Sequence, residues 1–567
     1  MRTPNRNIVL ALLAGLIISG MAMSVYLCNT NPIFYSDSVH YLIPIHNLMA
    51  GEGYTYRGHP EVLFPPGYGL VSYVFFLFVG DMEYSGLIVS ALAYVSVILV
   101  AFIVSNYLFG PREGLIAAWL VTFFTGLVRL SSQVSSDALA CLCLLLGFYL
   151  YLRLIDGNGS YKTAAILGAV LGFSYVLRPE GFLTGLLAIV TLFIITIASG
   201  RSPDNKVSGS TVRRPLILIL VTVLFLAFLI PYVLFLKNHT GRWTFSTKAG
   251  GNLRIGEISL EGPGHRVDGL TEMFDSGESI NILQYARSRG KKYAVRVFRN
   301  ALVEAYKLLK LNFHGLVPLA ILWLIYPFVA SGRLFANRAM PLACFRVAIA
   351  FLVFLSPLPA YWFFFIESRL LVPYSLLLLI LLSLLIVEFL DNILASFHKP
   401  RIWPSVFLVC LISIASSLGV GYLRDLPRVP QKLLPSSLFE PFTDERQVGY
   451  RPAAEWLRKN CRDLNQLTLM NPGRPDMLLF FASGKKTLPG RAVKVEPQTT
   501  LEEIVSELQS SKPSYLIITA EQAAQRSAES PDAIVSLWNE PEKAKSAGLF
   551  LVHEDPKGTF KVYQYLE

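Results

Sequence analysis

A series of long apolar runs constrains this 567-residue chain more than any other feature. They lie near 8–28, 84–109, 114–132, 135–154, 161–178, 181–199, 215–237, 315–332, 343–366, 369–396 and 402–423. A helix needs about 20 apolar residues to cross a bilayer, and shorter helices serve in crowded bundles. Composition agrees with this reading: 53% of residues are hydrophobic and 16% charged, where soluble domains carry about 25% charged residues. The sequence predicts a polytopic α-helical membrane protein.

A net charge of +11 does not point to nucleic acid. Most basic residues fall in short loops between apolar runs, a pattern that belongs to membrane topology. The six cysteines form no CxxC pair and no metal spacing; Cys141 and Cys143 sit inside an apolar run and read as buried thiols. The start, MRTPNRN followed by apolar residues, resembles a signal peptide. It shows no clear cleavage site near Cys28, so a retained first helix is expected.

One stretch, FPPGYGLVSYVFFLFVG (64–80), is ambiguous as a span. The charge bias of the loops decides it. If 64–80 does not span, the cytoplasmic segments carry Arg2 and Arg6, Arg112, Arg153 and Lys162, the cluster from Arg201 to Arg214, Arg333, Arg338 and Arg346, and Lys399 and Arg401. If it spans, every later loop inverts and the bias is lost. The stretch is therefore expected as an interfacial or re-entrant helix on the outer face. About eleven spans follow, with a cytoplasmic N-terminus, in the inner (plasma) membrane. The expected division is a membrane domain over 1–424, with external loops 29–83 and 238–314, and an extracytoplasmic domain over 425–567.

The second loop ends in YARSRGKKYAVRVFRNALVEAYKLLKLNFHG, where basic and apolar residues interleave. That pattern predicts an amphipathic interfacial helix, attracted to anionic head groups or gathering an anionic lipid substrate. Beyond about 425 prolines and charges increase. RPAAEWLRKN and TTLEEIVSELQSS read as helices, LTLMN, MLLFFAS and SYLIITA as strands, and FLVHE with FKVYQYL as a hairpin. This predicts a small α/β domain, without a glycine-rich phosphate loop or a catalytic triad, in an accessory or recognition role.

Against that topology several charges stand out. Arg129, Arg178, Arg369, Asp137, Glu180 and Glu367 lie at outer ends of spans, and Asp37 and Glu61 lie in the first external segment. Such residues are functional candidates by default. Guanidinium groups suit phosphate, and a carboxylate suits the activation of a hydroxyl. Local roles stand beside these: Arg369 pairing with Glu367, Arg178 pairing with Glu180, Asp137 capping a helix. His40, His46 and His59 fit no strong metal spacing. Tyr35, Tyr41, Tyr54, Tyr56 and Tyr68 read as interfacial aromatics or as platforms for a sugar ring.

Five segments carry a family resemblance: FYSDSVHYL, FPPGYGL, VSSDALACLCLLLGFYLYLRL, GAVLGFSYVLRPEGFL and FIESRLLVPYSLLLL, in this order over about 1–425. Together they resemble the GT-C-fold polyprenyl-phosphate-sugar glycosyltransferases, in particular bacterial relatives of protein O-mannosyltransferases and the lipid A aminoarabinose transferase (glycosyltransferase family 39-like). The resemblance implies that Asp37 is the catalytic base or orients the acceptor, that Asp137 contacts substrate or a metal, and that Arg369 lies near the donor phosphate. Arg178 is a further match. Where some relatives have a lysine before the proline pair, this chain has Phe64, which moves the phosphate contacts onto the arginines. Asp37 is flanked by serines rather than by a second acid, so no cofactor is required; Asp37 and Asp137 are the residues that would take a divalent metal. No Trp-Trp-Asp motif, as in oligosaccharyltransferases of this fold, occurs.

The function expected is therefore an inverting glycosyl transfer at the outer, periplasmic face. The donor is a sugar on polyprenyl phosphate, and the acceptor is a hydroxyl on lipid, glycan or protein. Asp37 is the catalytic candidate; Asp137, Arg178, Arg369, Glu61, His40, Tyr68 and Glu367 are the substrate-binding candidates. The partners expected are the donor, the acceptor and membrane lipids, not nucleic acid. The alternatives are a transporter or flippase of lipid-linked sugars, for which no convincing internal repeat is seen, and a scaffold presenting the C-terminal domain.

Overall fold

The structure is a computed structural model. It describes residues 5–30, 32–34, 36–200, 210–248, 252–253, 287–311, 340–364, 366–396, 450–472, 475–485, 487–495, 500–511, 513–520, 522–523, 533–545 and 548–565. The apolar runs within the described residues become helices. In chain order these are α1 (Arg6–Thr30), α2 (Ser36–Met49), a small ribbon of β1 (Thr55–Tyr56) and β2 (His59–Pro60), α3 (Gly67–Val79), α4 (Met82–Leu108), α5 (Pro111–Thr122), α6 (Thr125–Leu130), α7 (Asp137–Ile155), α8 (Tyr161–Leu177), α9 (Gly181–Gly200) and α10 (Ser210–Thr240). After them come α11 (Lys291–Leu311), α12 (Met340–Leu355), α13 (Leu358–Tyr361) and α14 (Ser368–Ser396).

Among the described residues, five helices are long and apolar enough to cross a membrane: α1, α4, α7, α10 over Pro215–Thr240 and α14 over Ser368–Val387. Shorter apolar helices, α3, α8, α9 and Phe345–Tyr361, accompany them. The 64–80 stretch forms α3, 13 residues long and so about 20 Å, which is short of a crossing. The 114–132 run is not one helix: it breaks between α5 and α6 at Phe123-Phe124. The runs at 315–332 and 402–423, and the domain boundary near 425, lie outside the described residues.

Buried side chains of α4, α5, α7, α8, α10 and α14 form one core, with Tyr94, Phe148, Leu171, Phe225 and Leu376 in it. Close helix approach in such bundles favours small residues. On α8, a Cβ at Gly168 would stand 2.6 Å from the Val221 carbonyl oxygen of α10. Outward faces stay apolar, with Ile18 on α1, Phe193 on α9 and Val223 on α10 exposed, as lipid contact requires.

The C-terminal part has α15 (Tyr450–Asn460), β3 (Thr468–Asn471), α16 (Pro475–Ala482), β4 (Arg491–Lys494), α17 (Leu501–Ser511), β5 (Tyr515–Thr519), α18 (Ala533–Asn539), α19 (Pro541–Lys545), β6 (Leu549–Glu554) and β7 (Phe560–Tyr565). Its sheet runs β4-β3-β5-β7-β6. β3 is parallel to β4 and β5, and β6 with β7 forms the expected antiparallel hairpin. MLLFFAS, expected as a strand, is instead the helix α16. A short, continuous apolar run does not distinguish a buried strand from a buried helix, and Pro475 is suited to a first helical turn.

Helix α16 explains how this domain meets the membrane part. Its Phe480 stacks on Phe34 at 5.0 Å and 15°, and Phe481 lies 5.1 Å from the same ring. Such aromatic pairs contribute about 0.5–1.5 kcal/mol beyond burial. Glu83, at the start of α4 and buried, is held by Arg451 and by Lys485 at 2.7 Å. The ribbon turn Arg57-Gly58 has positive φ at both residues, as a tight hairpin turn needs. It aims Arg57 at Asp476, with Nε donating to Oδ1 at 2.6 Å.

Candidate functional site

The segment before α2 is pinned to the entry of α7. The Ile33 amide donates to the Ser132 carbonyl (2.8 Å), and the Val134 amide donates to that of Ile33 (3.0 Å). Ser38 Oγ adds a bond to the Val134 carbonyl (2.7 Å). These bonds set the first turn of α2, which carries Asp37, beside the first residue of α7, Asp137. Helix α3 packs against α2 and the end of α8. A Cβ at Gly67 would stand 2.6 Å from the Val176 carbonyl oxygen, next to the end of α8, and one at Gly69 would collide with the Tyr41 carbonyl oxygen. The two glycines of FPPGYGL are thus what lets α3 lie against α2 and α8.

Two arginines meet the two acids. Helix α8 ends at Leu177, and Arg178 is in extended backbone (φ −152°, ψ 132°), the conformation imposed on a residue before proline, here Pro179. From there Arg178 pairs with Asp137 and reaches Glu180 at 3.6 Å. Ser135 Oγ donates to the other oxygen of Asp137 at 2.8 Å. Asp137 is therefore not a cap; Ser136 occupies that position. In the first turn of α14, Arg369 donates from Nε to Glu367 (2.8 Å) and from Nη2 to Asp37 Oδ2 (3.2 Å). The local pairings Arg369–Glu367 and Arg178–Glu180 both exist, and each arginine also reaches a distant acid. Tyr41, bonded to Ser136 Oγ at 3.0 Å, lies within electrostatic reach of Arg178, Asp137 and Asp37.

Beside this cluster, His40 Nδ1 lies 2.6 Å from Glu61 Oε2. Glu61 Oε1 accepts from the amides of Leu63 (2.8 Å) and Phe64 (3.1 Å). The His40 ring is layered between Tyr56 (3.9 Å) and Phe64 (4.9 Å), and Tyr56 donates its hydroxyl to Asp476 at 2.6 Å. Burial opposes the charge on His40, but Glu61, with Asp476 and Asp37 beside it, outweighs burial, so the imidazole is raised above its ordinary value. Glu61 thus orients His40 and favours its charged form. Tyr68 is buried between α3 and α4, donating to the Gly86 carbonyl at 2.8 Å, and does not join the charged cluster. His46 and His59 do not join His40 in a metal-binding group.

The residue that pattern reading misses is Lys248, eight positions beyond the end of α10. Its Nζ stands 3.2 Å above the centre of the Phe64 ring. The ring that takes the place of a lysine before the proline pair is thus covered by a lysine from another loop. Burial pushes the Lys248 amine down to about 8, against the pull of Asp37 and Glu61 and aided by Arg178 and Arg369. For Asp37, burial favours protonation, but Arg369, Lys248 and His40 together hold the carboxyl below its ordinary value. Nothing in the local pattern NHTGRWTFSTKAGG marks Lys248.

Chemically this corner gathers three cations, Lys248, Arg369 and Arg178, with the carboxylates Asp37, Asp137, Glu180 and Glu367 in reach of the arginines. Asp37 and Asp137 are each engaged by an arginine, and no group of three His, Cys, Asp or Glu side chains gathers among the described residues.

Comparison with known proteins gives a fold. Residues 64–235 match the family described as dolichyl-phosphate-mannose-protein mannosyltransferase. The structure of ArnT from Cupriavidus metallidurans in the apo state aligns over 98% of this chain and 97% of its own, at 12% identity and TM-score 0.52. The same protein bound to undecaprenyl phosphate aligns over 99% and 98%, at 13% and 0.51.

The chain has the GT-C fold.

A second GT-C structure agrees: the archaeal oligosaccharyltransferase AglB from Archaeoglobus fulgidus, in complex with an inhibitory peptide and a dolichol-phosphate. It aligns over 98% of this chain and 74% of its own, at 11% identity and TM-score 0.52. No curated protein sequence matches. The family match covers three of the five GT-C motifs read from the sequence. Asp37 and Arg369 lie outside it, so their part in the site rests on geometry.

Proposed function

We propose that this protein is a membrane glycosyltransferase that moves a single sugar from polyprenyl phosphate to an acceptor hydroxyl at the outer face of the plasma membrane. The observation that carries this reading is the meeting of Asp37 with Arg369 beneath Lys248, next to the Arg178–Asp137 pair, in a GT-C fold. In ArnT and AglB that fold has been solved with polyprenyl phosphates. The charged groups sit at helix ends and in connecting loops rather than along the middle of spans, which favours chemistry over passage through the bilayer.

In this reading Lys248, Arg369 and Arg178 hold the donor phosphate. The acceptor oxygen attacks the anomeric carbon in line. The bond from that carbon to the phosphate oxygen breaks, and its electron pair leaves with the phosphate. The acceptor proton passes to Asp37. At rest Arg369 keeps Asp37 a weak base. A phosphate that draws Arg369 away would strengthen it, so donor binding readies the base. Fixed cations facing the leaving phosphate supply the electrostatic stabilisation that often dominates such reactions. A divalent metal has no step in this scheme. The 425–567 domain, seated on the same loops, serves as an accessory unit.

The test is transfer by the full chain in lipid nanodiscs supplied with polyprenyl-phosphate sugars and a cell-envelope acceptor extract, read as release of polyprenyl phosphate. Asp37→Asn should lower turnover by 10²–10⁴, the usual contribution of a positioned base, while donor binding remains. Normal turnover by Asp37→Asn would remove Asp37 from the mechanism. Movement of intact donor across the bilayer without its cleavage would favour a flippase.

A further inference from the structure

Helix α11 is amphipathic, and one polar stripe of it is turned inward. Its Val295, Phe298, Leu302 and Tyr306, a stripe at helical spacing, are more than half exposed, the side that a bilayer interface covers. The opposite stripe, Tyr293, Arg296, Asn300, Glu304 and Lys307, faces the segment that leads into α14. Arg296 Nη2 donates to the Phe364 carbonyl (2.7 Å) and to that of Leu253 (3.2 Å). Asn300 Nδ2 donates to the carbonyls of Trp362 (3.0 Å) and Phe364 (3.3 Å). Lys307 Nζ donates to Ile366 (2.8 Å), and the Tyr293 hydroxyl to Phe363 (3.4 Å). In return Trp362 Nε1 donates to Glu304 Oε1 at 3.2 Å.

Among the described residues the carbonyls of this strap take no backbone donor, and at an apolar boundary an unmade bond is costly. One residue past the strap stands Glu367, and two further Arg369, whose Nη2 meets Asp37. The backbone that sets Arg369 is therefore gripped from α11 at four carbonyls.

We propose that the polar stripe of α11 is a positioning element that fixes Arg369 against Asp37 through the strap Trp362–Phe364 and Ile366. The consequence for donor phosphate rests on the function proposed above; the grip itself does not. It also gives the basic residues Arg296 and Lys307 a task other than lipid attraction.

The experiment uses the full chain in nanodiscs and the variant Asn300→Leu. Hydrogen exchange should rise at least tenfold at the amides of Trp362–Phe364 and Leu370, and stay unchanged in α7 and in the C-terminal sheet. In the transfer assay turnover should fall on the order of tenfold or more, the scale of a small misplacement, with the acceptor KM unchanged. Asn300→Gln, which keeps the amide donors, should restore most of it. Where Asn300→Leu does not fold, Lys307→Met, at the Ile366 end, replaces it. Unchanged exchange at the strap overturns the proposal, and so does an equal loss in Asn300→Gln. A wild-type protein without transfer activity would sink the functional reading alone, since the exchange result would still decide the grip.

Discussion

Replacing Lys248 by Met tests the proposed phosphate contacts most directly. The amine is held down to about 8, against about 10.4 for an unfolded lysine. Between these values the unfolded chain binds more protons than the folded one, so the lysine's contribution makes stability rise with pH across that window. At neutral pH the buried ammonium costs the fold up to about 3 kcal/mol. An arriving phosphate relieves that cost. Two unit charges about 4 Å apart at an effective dielectric of 20 attract by about 4 kcal/mol, less what desolvation of the phosphate removes. Lys248→Met is therefore expected to weaken polyprenyl phosphate binding on the order of 10–100-fold. The pH profile is the sharper readout. A phosphate monoester is fully ionised above about pH 7, so wild-type affinity should be flat from pH 7 to 8. It should then fall by about tenfold per unit above 8, where binding must first recharge the amine. Lys248→Met should lose this slope. Lys248→Arg should lose it too while keeping affinity, because guanidinium does not titrate there. Native mass spectrometry of nanodisc complexes between pH 6.5 and 9.5 at constant ionic strength reads all three. Wild-type affinity and slope in Lys248→Met would refute the reasoning.

Other outcomes follow from the same contacts. Asp137→Asn removes the nearer of the two acids of Arg178, leaving Glu180 at 3.6 Å, and should cost about 1–3 kcal/mol, read as a lowered Tm; adding Arg178→Met should recover part of it. Glu304 is pushed up to about 7 by burial, so its folded form binds more protons than the unfolded chain from about pH 4.3 to 7, and its contribution to stability falls as pH rises through that window. Glu304→Gln should therefore raise Tm at pH 8, by about 1–3 kcal/mol equivalent, and leave it unchanged near pH 4.5. Asp476→Asn weakens the acceptor for Tyr56 and Arg57 and should cost about 1–3 kcal/mol, seen as faster proteolysis within the C-terminal part while α7 stays protected.

Much of the site was legible because membrane segments make charge anomalous. Asp137, Arg178 and Arg369 each stand where an apolar run begins or ends, and a carboxylate in NPIFYSDSVHYL asks for a partner. The partner of Asp37 was not legible, since Arg369 is 332 positions away and the nearer reading paired it with Glu367. Nor was Lys248, an ordinary loop lysine until the fold lays it on Phe64. Tyr68 looked like a sugar platform and is packing, because its ring is buried and its hydroxyl is taken up by the Gly86 carbonyl and Ser90 of α4. In the C-terminal part, strands with alternation were readable, whereas α16 was not, since its run Met477–Ala482 is apolar and buried without a break.

Glu83 gives the chain a timetable. It is 2% exposed, and its partner Arg451 follows it by 368 residues. At 5–20 residues per second a ribosome needs roughly 20–70 s to make that interval. Through that time α4 has to enter the membrane with an unanswered carboxylate at its first turn. The seam between the start of α4 and the C-terminal part therefore waits for the end of synthesis, and a nascent chain stalled before residue 450 would hold Glu83 without Arg451.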